Sequence, residues 1–126
     1  MSSEIQIPKI KKKYDLEERS ARFGEEIIEF VKILSKNETN NVLIGQLVRS
    51  GTSLGANYME ADGAESKKDF YHKVAICKQE AKETKHWLRM IAKGNPDKIE
   101  ECRRLWQEAQ ELTLNFSSII LSRRKN

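Results

Sequence analysis

Hydrophobic positions along this chain recur at alternating spacings of three and four residues, over four stretches long enough to be helices. In the first stretch Leu16, Ser20, Phe23, Ile27, Phe30 and Leu34 share one face, the seam expected of a bundle helix. Asp15 and Glu18 have the spacing of a capping box that would open it. The polar run at 35–40 would fray its end. A second helix is expected from about Asn41 to Asp62, with Ile44, Leu47, Val48, Gly51, Leu54, Gly55 and Tyr58 on one face. Gly51 and Gly55 each cost that helix about 1 kcal/mol against alanine. Four residues apart, they stack on one face and let another backbone approach closely.

Gly63 offers a stop, and Ser66 with Asp69 repeats the capping-box spacing. Phe70, Val74, Cys77, Ala81, Thr84, Leu88 and Ile91 then carry a third seam, on a helix about 40 Å long. Gly94 ends it. Asn95 is the expected cap of a fourth helix, with Pro96 in its first turn and Ile99, Cys102, Leu105, Ala109, Leu112, Phe116 and Ile119 as its seam. Short connections place consecutive helices antiparallel. The expected fold is all-α, an up-down-up-down four-helix bundle over residues 14–122, with basic tails at 1–13 and 123–126.

Composition agrees with this plan. A chain of 126 residues suits one domain, and 38% hydrophobic with 33% charged residues suits amphipathic helices. Two prolines and six glycines leave little punctuation for strands and turns. The N-terminal stretch has no apolar run that could be a signal peptide or membrane span, so the expected location is the cytoplasm. Cys77 and Cys102 fall on core-facing positions and make no zinc motif. They are expected to be reduced, packed thiols.

The net charge of +4 is modest, so its arrangement carries more than its sum. At 100° per residue, Lys67, Lys78, Lys82, Lys85, Arg89 and Lys93, with Tyr71 among them, fall within an arc of about 80° on the third helix. Glu65, Asp69, Glu80 and Glu83 fall on a different arc. Lysines that merely solubilise a face usually mix with acids, and these do not. A straight cationic row attracts phosphate backbone by releasing counterions, without base specificity. The tails add Lys9, Lys11, Lys12 and Lys13 at one end and Arg123, Arg124 and Lys125 at the other.

The second helix shows the opposite feature. Between Val42 and Met59 the sole charge is Arg49, and the outward Ser53 and Ala56 are small and uncharged. Ile76 and Trp87 sit on the acidic flank of the third helix. Arg49, Ser53, Ala56, Ile76 and Trp87 together predict a subunit interface.

Catalytic patterns are weak. Asp69 to His72 and Glu83 to His86 have carboxylate-x-x-His spacing, but di-metal bundles draw such pairs from two different helices and point them inward. Here both lie on one helix, away from its seam. The stretch from Gly51 to Gly55 lies inside a helix and lacks the lysine of a phosphate loop. No enzyme, metal or cofactor is expected.

The stretch Gln46-Leu47-Val48-Arg49-Ser50-Gly51-Thr52-Ser53-Leu54-Gly55-Ala56-Asn57-Tyr58, followed by Glu60-Ala61, resembles the proteins first noticed as reading frames within bacterial 23S ribosomal RNA intervening sequences. Ser66-Lys67-Lys68-Asp69-Phe70, Glu80-Ala81-Lys82-Glu83-Thr84, Trp87-Leu88 and the opening Tyr14-Asp15-Leu16-Glu17-Glu18-Arg19 continue the likeness. The resemblance implies a left-handed bundle assembling as a homopentamer. The family is also similar to the accessory variability proteins of diversity-generating retroelements, basic pentamers that bind nucleic acid and a reverse transcriptase. By that analogy, nucleic acid would fall on the basic stripe, and Arg49, Ser50, Gly51, Ser53, Gly55, Asn57 and Tyr58 would mark a shared structural or interface surface. Three functions follow for testing: a nucleic-acid-binding homo-oligomer first, then a protein-interaction scaffold, and last a metal-assisted enzyme.

Overall fold

The computed structural model describes residues 15–125. The N-terminal tail expected at 1–13 and the family opening at Tyr14 lie outside the described residues. Four helices, α1 (Leu16–Val31), α2 (Glu38–Asp62), α3 (Lys67–Gly94) and α4 (Ile99–Ser122), form an all-α bundle. Short 3-10 turns at Pro96–Lys98 and Arg123–Lys125 precede and follow α4.

The seams bury as their spacing requires. Phe23, Ile27 and Phe30 from α1 meet Leu47 and Leu54 from α2, Val74, Cys77, Leu88 and Ile91 from α3, and Leu105, Leu112 and Phe116 from α4. Each buried Leu, Ile or Phe contributes roughly 1.5–3 kcal/mol by leaving water. Ile99 departs from the expected seam: it stands exposed at the first residue of α4.

Helix ends follow local hydrogen bonding, and three expectations change there. Asp15 makes no side-chain cap bond, so the capping box at α1 is absent. Asn37 accepts the Asn40 N–H at 2.8 Å and starts α2 three residues earlier than Asn41. Ser66 accepts the Asp69 N–H at 3.0 Å and caps α3 as expected. Asn95 does not cap α4. Its side chain turns inward instead, exchanging two 2.9 Å hydrogen bonds with buried Asn40 and donating to the Ile91 carbonyl. With that cap diverted, α4 proper begins after the Pro96–Lys98 turn.

Gly51 and Gly55 face α1. A Cβ on Gly51 would sit 3.0 Å from Ile27, and one on Gly55 would sit 3.3 Å from the Ser20 carbonyl. The close approach expected from the glycine spacing is therefore made by α1. Across the other joints, Arg49 and Lys73 link α2 to α3 through ion pairs with Glu80, Glu83 and Glu60. Arg19 pairs with Glu108 at 2.7 Å and Glu111 at 2.8 Å, linking α1 to α4.

Candidate nucleic-acid interface

The six cations of the stripe occupy the flank of α3 next to α4. Lys67, Lys82, Arg89 and Lys93 are exposed, and Lys78 and Lys85 are half-buried. Lys85 fixes which way the flank faces: its Nζ donates to Gln110 of α4 at 2.5 Å and lies 5.1 Å from the centre of the Trp106 ring. Burial lowers the Lys85 pKa, and the neighbouring Lys82 charge adds to the effect. Tyr71, toward the other end of the row, has the Arg123 guanidinium 5.2 Å from its ring centre. The 3-10 turn after α4 thus delivers a further cation to the same flank.

Among the described residues, none of the six stripe cations forms an ion pair, whereas Arg19, Arg22, Lys32, Arg49, Lys73, Lys98, Arg103 and Arg104 all do. The acids of α3 explain the contrast. Glu80 and Glu83 turn toward α2 and hold Arg49. Glu83 also accepts the Trp87 indole N–H at 3.1 Å. Glu80 and Glu83 are thus engaged away from the stripe.

The expected interface residues divide. Arg49 and Trp87 converge on Glu83, and Trp87 packs partly against the core. Ser53 is half-buried and accepts from Asn57 on its own helix at 3.1 Å. Ala56 is exposed, and Ile76 is half-buried on α3. The outer side of α2 also exposes Val42 and Met59, at 67% and 56%, which helical phase places with Ala56 and Gly45.

Most of the family stretch points inward. Ser50 accepts the Thr84 hydroxyl at 2.8 Å, Gly51 and Gly55 abut α1, and Tyr58 lies 5.9 Å from Phe116. These residues join α2 to the other three helices.

Cys77 and Cys102 are buried and unpaired. Burial pushes their thiols up to about 12 and about 11, so neither is a thiolate near neutrality. His72 and His86 are exposed on α3, and Glu83 faces Arg49 instead. Among the described residues no three His, Cys, Asp or Glu side chains gather to hold a metal, and no helix is long and apolar enough to cross a membrane.

Trp106 and Gln110 are not among the residues expected at this surface, whereas Arg123 belongs to the basic tail expected to add to it. On α4 Trp106 and Gln110 lie four apart, on the flank beside the buried seam, a phase relation readable from sequence. Which helix would lie beside that flank was not readable.

The model for the 23S rRNA-intervening sequence protein matches residues 12–118. The chain belongs to this family. The intervening-sequence protein match spans all four helices and stops within α4. Among solved structures, a protein of unknown function from the S23 ribosomal protein family of Bacteroides thetaiotaomicron VPI-5482 is 32% identical, with a TM-score of 0.77. The alignment covers 83% of this chain and 97% of that one. No curated protein matches. Membership establishes the family of this bundle and leaves its role to be argued from its surfaces.

Proposed function

We propose that this intervening-sequence protein is a non-enzymatic homo-oligomer that binds the phosphate backbone of RNA or DNA through Lys67, Lys78, Lys82, Lys85, Arg89 and Lys93. The observation that carries it is the row of six cations on one flank, with no ion pair among the described residues, on a helix whose Glu80 and Glu83 pair with Arg49 of α2. Counterion release from phosphate favours such a row more than an isolated surface lysine. The order of the interhelix contacts supports an up-down-up-down course, and family resemblance suggests five subunits. A cytoplasmic location fits the two unpaired thiols.

Replacing Lys78, Lys82 and Arg89 by glutamate tests the proposal without disturbing Lys85, which also contacts α4. Binding to a labelled oligonucleotide is expected to weaken, and the log–log salt slope to fall by about 2 to 3 for three lost contacts. Helicity should stay unchanged. A wild-type protein without salt-dependent affinity for any RNA or DNA rejects the function.

A scaffold for a protein partner is the second function, favoured by the exposed Val42 and Met59 on the outer side of α2. A partner retained after nuclease treatment, and lost when Val42 becomes glutamate, would support it.

A further inference from the structure

We infer that the nucleic acid recognised at the α3–α4 flank is single-stranded, with an unpaired base stacked on Trp106. The inference rests on the proposed backbone-binding function and adds the class of ligand.

Its first support is the shape of the cation row. Lys78, Lys82, Lys85, Arg89 and Lys93 follow one another by three or four residues, so each step rises about 4.5–6 Å along a straight axis. Phosphates on one strand of a duplex rise about 3.4 Å per nucleotide while winding around the helix. A straight row meets such a path over a short arc. An unstacked, extended strand has a longer repeat and can follow the row throughout.

The second support is what lies beside the row. Ile99, Trp106, Leu114 and Leu121 are all exposed on α4. Their spacings of seven, eight and seven keep them close to one face. The Lys85–Trp106 and Tyr71–Arg123 contacts place α4 alongside the cations at two levels. A duplex stacks its bases inside and offers little to an apolar row. A single strand has free base faces, and every base can stack on an indole without sequence preference. Trp106 is 39% exposed at the Lys85 level, where a base could stack while its phosphates meet Lys82 and Arg89. Lys85 Nζ lies over one face of the ring, 5.1 Å from its centre, so the base would take the opposite face, with the cation behind it making the platform electropositive as well as apolar.

The test uses the full chain carrying Trp87→Phe, which leaves Trp106 as the sole tryptophan. The ligands are an unstructured oligothymidylate of about 20 nucleotides and a hairpin duplex with the same number of phosphates. Oligothymidylate should bind tighter and quench the remaining indole. Trp106→Ala should weaken oligothymidylate about tenfold and the duplex less than about twofold, with the salt slope unchanged because the phosphate contacts persist. Trp106→Phe, which keeps a ring, should recover most of the loss, and circular dichroism checks that each variant folds. Equal wild-type affinity for both ligands, or equal weakening of both by Trp106→Ala, overturns the single-strand inference and leaves backbone binding standing. If neither ligand binds at low salt, the backbone-binding function fails and this inference falls with it.

Discussion

Single atoms decide the packing of α2, and glycine substitutions show it with opposite signs. Alanine at an exposed helical position stabilises by about 1 kcal/mol relative to glycine. At Gly45 nothing lies within 4 Å of an added Cβ, so Gly45→Ala should gain that full amount and raise Tm by about 4 °C. At Gly55 the same Cβ would meet the carbonyl carbon and oxygen of Ser20 at 3.3 Å and the Ala21 nitrogen at 3.4 Å. Backbone atoms cannot rotate away, so α1 as a whole must shift and loosen Ile27 and Phe23 in the core. Overpacking of this kind costs about 1–3 kcal/mol and should outweigh the propensity gain, lowering Tm. Thermal melts of both variants check the pair; a rise at Gly55→Ala would mean that α1 is free to move. The spacing of Gly51 and Gly55 already announced a close approach. The atoms they approach were not legible, because Ser20 and Ile27 belong to a helix whose position depends on the whole fold.

At the scale of the element, seams were far more legible than ends. Burial of Phe23, Ile27, Val74, Cys77, Leu105 and Phe116 follows from a repeat that every turn reinforces. A cap depends on one side chain with several competing acceptors and donors, and only Ser66 performs as its spacing suggests. Ser66→Ala should therefore cost about 1 kcal/mol, whereas Asp15→Ala, whose side chain makes no cap bond, should cost less than half as much. Urea denaturation of the two variants separates them, and equal losses would place an undetected cap at Asp15. Asn95 shows why the ends resist prediction. Its side-chain partner Asn40 is 55 residues away, and two buried amides that satisfy each other outweigh a cap bond that water could replace. The basic stripe was legible for the same reason as the seams, because one regular helix carries it. Its α4 border was not, since Trp106 and Arg123 reach it only through tertiary contact.

Over the whole molecule, charge is partitioned among three surfaces. The groove of about 960 Å³ between α1 and α4 carries acids and arginines that pair with one another, as Arg19 does with Glu108 and Arg104 with Glu26. The α3–α4 flank is cationic, and from Val42 to Met59 the outer side of α2 carries Arg49 alone, itself held by Glu80 and Glu83. If copies of the chain meet on α2, the cationic flank remains open, so assembly and nucleic-acid binding can coexist. Ala56→Glu tests that arrangement. Ala56 is exposed in the single chain, and glutamate is a good helix former, so the protomer should keep its helicity. Placed in a contact between copies, the new carboxylate would be desolvated without a partner, at a cost of several kcal/mol. The expected outcome is a monomer by light scattering at micromolar concentration where the wild type is an oligomer, while Lys82→Glu on the opposite flank stays assembled. Binding to a long single strand should then weaken in Ala56→Glu, because linked stripes no longer share one ligand, and binding to a short one should not. A wild-type monomer would remove the assembly altogether. An Ala56→Glu oligomer of unchanged mass would move the interface away from α2.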